Sequence, residues 1–324
     1  MEKEYICVNS FAPRDDRVYL YFKRVGERKS DGFCVICNGE VFVIDSGDTS
    51  DDGMHRFLLS LREKWLENAP DCDKNARLEF KIIVSHAHSD HIGALPEIVK
   101  DSHFCVQYII APERSYLSNN VPGAIRHLVK DENDLAAIGE ILKQEIGYLP
   151  YGKIHSVKTE NENLNITIYT APFDWSEERQ SDREGIRHLV NTVPPSYEDR
   201  DKGITNGVLN GNSLWIKIAY GENTVLITGD QRPTDEMLNS MIRYYGEEHF
   251  RCNVLKLTHH GAENYPPYLI GISKATDFVF TVSREKSKPE TVELCEKIGK
   301  AHYLGEYDLV FTLETNKITH KIYK

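Results

Sequence analysis

Four residues with metal-binding side chains fall within six consecutive positions of the stretch Ser85-His86-Ala87-His88-Ser89-Asp90-His91. Residues 81–85 read as a buried β-strand, and 92–99 as a turn leading into a helix. The histidines and aspartate therefore sit on a strand-to-helix loop at a sheet edge, where α/β folds commonly carry their chemistry. Imidazole and carboxylate are the donors that zinc and similar divalent ions prefer. Their spacing lets His86 and His88 turn toward one ion while Asp90 and His91 face a second position. A polar helix entry capped by Asp90 would make the histidines incidental, but 13 histidines in 324 residues rarely gather so tightly.

A chain of 324 residues can bury one large core or two modest ones. Its composition, 40% hydrophobic and 27% charged, is that of a soluble globular protein. The first 25 residues carry too many charges for a signal peptide, and no apolar run approaches the ~20 residues of a membrane span. Seven scattered cysteines imply structural roles in a reducing cytoplasm. Cys34 and Cys37 have redox or zinc spacing but lie in a strand pattern that points them to opposite faces. A net charge of -11 disfavours casual binding to polyanions, nucleic acid included.

Strands are expected over 18–22, 32–37 and 40–44, with Asn38-Gly39 as a hairpin turn and Asp45-Ser46-Gly47 closing the third. A helical apolar period covers 54–68, and a further helix is expected over 131–146, ended by Gly147. More strands are expected over 103–111, 164–169, 213–219, 225–228, 253–258 and 277–282, a short helix over 290–299, and a closing hairpin over 307–313 and 317–323. Residues 174–207 hold eight acidic and five basic residues and few apolar anchors. They read as a long surface insertion, a candidate lid or specificity element, with His188 and Tyr197 as weak substrate-contact candidates. No linker or composition shift divides the chain, so residues 1–324 are read as one catalytic domain.

His-x-His-x-Asp-His after a hydrophobic strand resembles the metallo-β-lactamase superfamily. That resemblance implies a four-layer αββα sandwich, with two sheets between helices. It makes Asp45 a buttress of the metal loop. Leu226-Ile227-Thr228-Gly229-Asp230 resembles the segment supplying the metal-bridging aspartate, and His259-His260-Gly261 the last metal-binding segment. On that basis the metal ligands are His86, His88, Asp90, His91, Asp230 and His260, while His259 faces the substrate. The segments around Asn212, Asp230 and Leu255-Lys256 resemble more narrowly the soluble domain of ComEC-type DNA-uptake proteins and their free-standing relatives. No histidine lies between His188 and Asp230, where superfamily enzymes complete the first metal site; Asn206, Asn210 or Asn212 occupies that neighbourhood.

The resemblance implies a cytoplasmic hydrolase with two zinc positions, one of them weak, manganese and iron being alternatives. Metal-activated hydroxide would attack a small-molecule phosphodiester or carboxylic ester, with Asp90 orienting it and Asp45 holding ligand geometry. A ComEC-like nuclease and a non-catalytic metal-binding regulatory module are the competing readings. No membrane partner is expected.

Overall fold

The computed structural model describes residues 7–24, 29–48, 52–68, 74–113, 136–138, 146–172, 209–233 and 236–324. The expected insertion at 174–207, with His188, Tyr197 and Asn206, and most of the expected helix at 131–146 lie outside the described residues.

Strand β1 (Val18–Phe22) is followed by the hairpin of β2 (Gly32–Cys37) and β3 (Glu40–Ser46). Asn38 and Gly39 turn this hairpin at φ 50° and 91°, the double positive φ that Asn-Gly supplies most easily. Helix α1 (Gly53–Glu67) leads to β4 (Leu78–Ile83), and short helices α2 (Ser89–Ile92) and α3 (Leu95–Lys100) lead to β5 (Phe104–Pro112). Then come β6 (Ile146–Leu149), β7 (Ile154–Val157), β8 (Leu164–Tyr169), β9 (Trp215–Tyr220) and β10 (Asn223–Ile227). Helices α4 (Glu236–Tyr245) and α5 (Glu247–Phe250), strand β11 (Val254–Lys256) and α6 (Pro267–Ser273) follow. The chain finishes with β12 (Asp277–Phe280), α7 (Pro289–Ile298), β13 (Lys300–Tyr303), β14 (Asp308–Glu314) and β15 (Lys317–Tyr323).

Two mixed sheets result, ordered β15-β14-β1-β2-β3-β4-β5-β6 and β13-β12-β11-β10-β9-β8-β7. Between them lies an apolar layer that includes Phe22, Phe33, Phe42, Ile166, Ile216, Val254 and Phe311. The outer face of the first sheet is covered by α1 and α3 through Met54, Leu58, Trp65, Leu95 and Ile98. That of the second is covered by α4, α6 and α7 through Leu238, Met241, Leu269, Val292 and Cys295. The architecture is the expected αββα sandwich, an α/β fold. Cys34 packs in the helix-side layer and Cys37 between the sheets, the opposite facing that strand alternation requires, and both are free thiols. No helix among the described residues is long and apolar enough to cross a membrane.

Two expectations need correction. Ile146 and Gly147 do not end a helix; they open β6, because the edge of β5 offers parallel pairing to Ile146 at Ile109 and to Gly147 at Ile110. Strand β11 stops at Lys256 and does not run to Thr258. Beyond it Leu257 leads into a tight turn over Thr258–Gly261, in which His259 and His260 both hold positive φ, 49° and 62°.

The fold positions chemistry at one edge. Strands β3 and β4 run parallel, as do β10 and β11. Their carboxyl ends release the loops carrying Asp45, residues 86–91, Asp230 and residues 258–261 on the same side. The layer that holds the two sheets together is aromatic: Phe22 meets Phe33 and Phe311 edge-on at centroid distances of 5.1 and 5.6 Å. Phe22→Ala should therefore cost about 3–5 kcal/mol. Denaturant unfolding monitored by circular dichroism checks this, and a loss under ~1 kcal/mol would show that the layer recloses around the gap.

Candidate metal centre

The loop 85–91 is fixed from behind before any side chain faces inward. Asp45, fully buried at the end of β3, accepts hydrogen bonds from the Ser85 backbone N–H (2.7 Å) and from Ser85 Oγ (2.6 Å). It also accepts from His91 Nδ1 at 2.8 Å. A carboxylate only accepts, so His91 carries its proton on Nδ1 and presents Nε2 forward. Backbone bonds from Gly47 N to the His91 carbonyl (3.3 Å) and from Asp31 N to the Asp90 carbonyl (3.1 Å) tie the loop to β3 and β2. Asp45 is thus a positioning residue, enclosed behind the histidines.

The forward-facing atoms converge. His86 Nε2 and His88 Nδ1 lie 2.9 Å apart, and the rings of His86 and His91 are 4.0 Å apart. Asp230 Oδ2 lies 3.4 Å from His91 Nε2 and 3.0 Å from His260 Nε2, and Asp90 Oδ2 lies 3.2 Å from His260 Nε2. His91, Asp230 and His260, with Asp31, bring donor atoms within 4.8 Å of one another; His86 packs against this group through His91, His88 through His86, and Asp90 through His260. Glycines make two of the turns: a Cβ on Gly261, at φ +78°, would sit 2.4 Å from Phe280, and one on Gly229, at φ +55°, 2.6 Å from Ser213 Cβ.

His259 stands outside the cluster. Its Nδ1 pairs with Glu263 Oε1 at 2.7 Å and its side chain is 23% exposed, against 1% for His260. The alternation of a continuing strand does not separate the two; the left-handed turn does. Asn210 and Asn212 are both buried where a further histidine was missing. Asn212 donates to Tyr151 Oη at 3.0 Å, and Asn210 Oδ1 is buried without a hydrogen-bond partner.

Two functional residues were given no role from the sequence. Asp31, fully buried before β2, accepts from His260 Nδ1 at 3.0 Å, and its other oxygen is in contact with the Lys256 ammonium. Asp31 thereby does for His260 what Asp45 does for His91. Asp31 also brings a donor atom within 4.8 Å of those of His91, Asp230 and His260, so it lies within reach of the same centre, its charge shared with Lys256. Lys256, fully buried on β11, also donates to the Gly229 carbonyl at 3.1 Å and reaches Asp230 Oδ1 at 3.5 Å. One Asp230 oxygen therefore faces the lysine while the other faces the histidines. A lysine inside an apolar strand was the available sequence clue, since such a charge is rarely buried unpaired. Asp31, in Ser30-Asp31-Gly32, reads as an ordinary turn.

Electrostatics follow from this arrangement. Burial opposes the ionised carboxyls, but the His260 hydrogen bond with the His91 and His260 charges brings Asp90 down to about 2. Lys256, His260 and His91 outweigh burial at Asp31 and hold it well below the usual carboxylate range. Burial holds His86 low and brings His88 down to about 4, so both are neutral imidazoles with lone pairs to give. For His91 and His260 burial is overcome by Asp230 together with Asp45 or Asp31.

The donor set fits a divalent transition metal. The Nε2 atoms of His88 and His91 are buried without hydrogen-bond partners, and unused polar atoms in a closed interior are otherwise costly. His86, His88, Asp90, His91, Asp230 and His260 would hold the metal, with Asp45 and Asp31 orienting His91 and His260.

The Asp31–Lys256 pair is buried on both sides, so breaking it from one side strands a charge. Asp31→Asn and Lys256→Met should each cost about 3–5 kcal/mol, and the double variant clearly less than their sum. A double-mutant cycle from denaturant unfolding checks this, and strict additivity would show that the two charges do not act as a pair.

Residues 34–249 match the sequence model described as Metallo-beta-lactamase superfamily, a span that includes the 86–91 loop and Asp230. No curated protein sequence matches the chain. Among solved structures, a diphosphatase of the PhnP family aligns at 12% identity over 92% of this chain and 98% of its own, with a TM-score of 0.47. The metallo-beta-lactamase fold protein YhfI from Bacillus subtilis aligns at 9% identity over 94% and 100%, with a TM-score of 0.45. Human tRNase Z, short form, aligns at 11% identity over 83% and 94%, with a TM-score of 0.42. These are remote likenesses in fold. The family match spans well over half of the chain, and with it this protein belongs to the metallo-β-lactamase superfamily.

Proposed function

We propose that the chain is a metal-dependent hydrolase, with zinc as the ion its imidazole and carboxylate donors fit best, acting on a small phosphodiester or carboxylic ester. The observation that carries this reading is the convergence of four histidines and two aspartates, backed by Asp45 and Asp31. Bound there, a divalent ion supplies Lewis acidity and lowers the pKa of water to about 7. His86 and His88 serve one position and Asp90, His91 and His260 the other, with Asp230 between them. The first position has fewer protein donors, and Asn210, with its unpartnered oxygen, is the nearest substitute that the sequence offers for the missing histidine. Asp90 is 31% exposed where His91 is fully enclosed, so substrate and water approach on its side. There its carboxylate orients the attacking water. His259, held by Glu263, would contact the substrate.

A ComEC-like nuclease rests only on the segments around Asn212, Asp230 and Lys256. The net charge of -11 opposes it, because polyanion binding depends on basic contacts. Elemental analysis with a panel of nitrophenyl phosphodiesters, nitrophenyl esters and single-stranded DNA separates these readings. Chelation should abolish hydrolysis, and full activity after chelation and dialysis would sink the metal-dependent mechanism. His260→Ala should remove the more tightly held metal, and His259→Ala should spare it. The reverse pattern would show that the two histidines have been assigned wrongly. Asp45→Asn should cost about 10–100-fold in metal affinity, read by competition with a chelating dye. An unchanged affinity would show that Asp45 does not hold the ligand geometry.

A further inference from the structure

A second group of donors lies at the opposite end of the parallel strands. Asp277 opens β12, beside Lys300 of β13, and His302 pairs with Val279 two residues on. Val279 packs between the sheets, so alternation turns Asp277 and His302 toward that layer as well. From the facing sheet, His320 of β15 pairs with Phe311 of β14. The His302 ring meets Phe311 at 5.5 Å and His320 at 4.7 Å. Three donors from two sheets thus meet at the margin where β13 and β15, the end strands of their sheets, leave the sandwich open.

The geometry points to a divalent metal site formed by Asp277, His302 and His320, independent of the centre at residues 86–91 and bracing the two sheets. Each residue places one donor atom within 4.8 Å of the other two. Asp277 Oδ1 and His302 Nε2 are already 2.9 Å apart. Ligands held at about 2.0–2.2 Å from one ion lie about 3–4 Å from each other, so small side-chain rotations close the site. His302 is fully buried; its Nε2 faces Asp277, while its other ring nitrogen, Nδ1, has no hydrogen-bond partner. Lys300 Nζ lies 2.5 Å from His320 Nε2. That ammonium is on a flexible, exposed side chain and is the group a metal would displace. Two imidazoles and a carboxylate favour zinc, with one coordination position left for water.

Zinc titration of the full chain, by calorimetry and by thermal unfolding with and without zinc, tests this. Wild type should bind one zinc equivalent more than His320→Ala, and the variant should lose part of the zinc-induced rise in Tm while keeping its metal-free Tm. Lys300→Met should bind that extra equivalent several-fold more tightly, since the competing ammonium is gone. Equal stoichiometry and equal zinc-induced shifts in wild type and His320→Ala would overturn the site. So would a Lys300→Met protein that binds zinc more weakly. Neither variant touches the ligands at residues 86–91, so the outcome is separate from that of the hydrolase reading.

Discussion

The structure depends on burying acidic groups together and compensating them. Asp31, Asp45 and Asp230 are essentially without solvent contact, with Asp90 beside them. Ionised carboxylates removed from water cost several kcal/mol each unless paired and hydrogen-bonded. Within the cluster Lys256 supplies the permanent positive charge, and its ammonium joins Asp31 to Asp230. The remaining compensation comes from His91 and His260, each gripped by a carboxylate on Nδ1 and facing Asp230 with Nε2. This is a framework in which imidazoles are pre-oriented and an additional cation is electrostatically welcome.

The fold makes that concentration affordable by assembling the centre from both sheets. Asp31, Asp45 and residues 86–91 come from the first sheet, and Asp230, Lys256 and His260 from the second. Leu214 N donates to the Ser85 carbonyl at 2.9 Å, so the loop before β9 is stitched to the metal loop of the facing sheet. The centre can form only when the sheets close on their aromatic layer, which couples the site to the core. Its exposed side is at Asp90 and His259.

Much of this was legible in the residues because it is written in local patterns. Val18–Phe22, Gly32–Cys37, Leu164–Tyr169 and Lys317–Tyr323 lie where alternation and turn residues place them. The 86–91 cluster is visible as spacing alone. What escaped was non-local. Nothing near Asp31 in sequence indicates a lysine 225 positions away, yet their contact sets the charge of the site. The positive φ of His259 and His260 was also hidden, because a strand pattern of Leu255-Lys256-Leu257 gives no sign that the ladder stops at Lys256. Ile146 departs from its helical period for the same reason: that period is local, and the β5 edge that captures it is not.

The most direct test of the central claim is anomalous diffraction from crystals grown with zinc. The account places an anomalous peak among His91, His260, Asp90 and Asp230, a weaker one against His86 and His88, and Lys256 still paired with Asp31. Absence of any peak within the cluster, or a single ion lodged between Asp31 and Asp230 with Lys256 expelled, would contradict it.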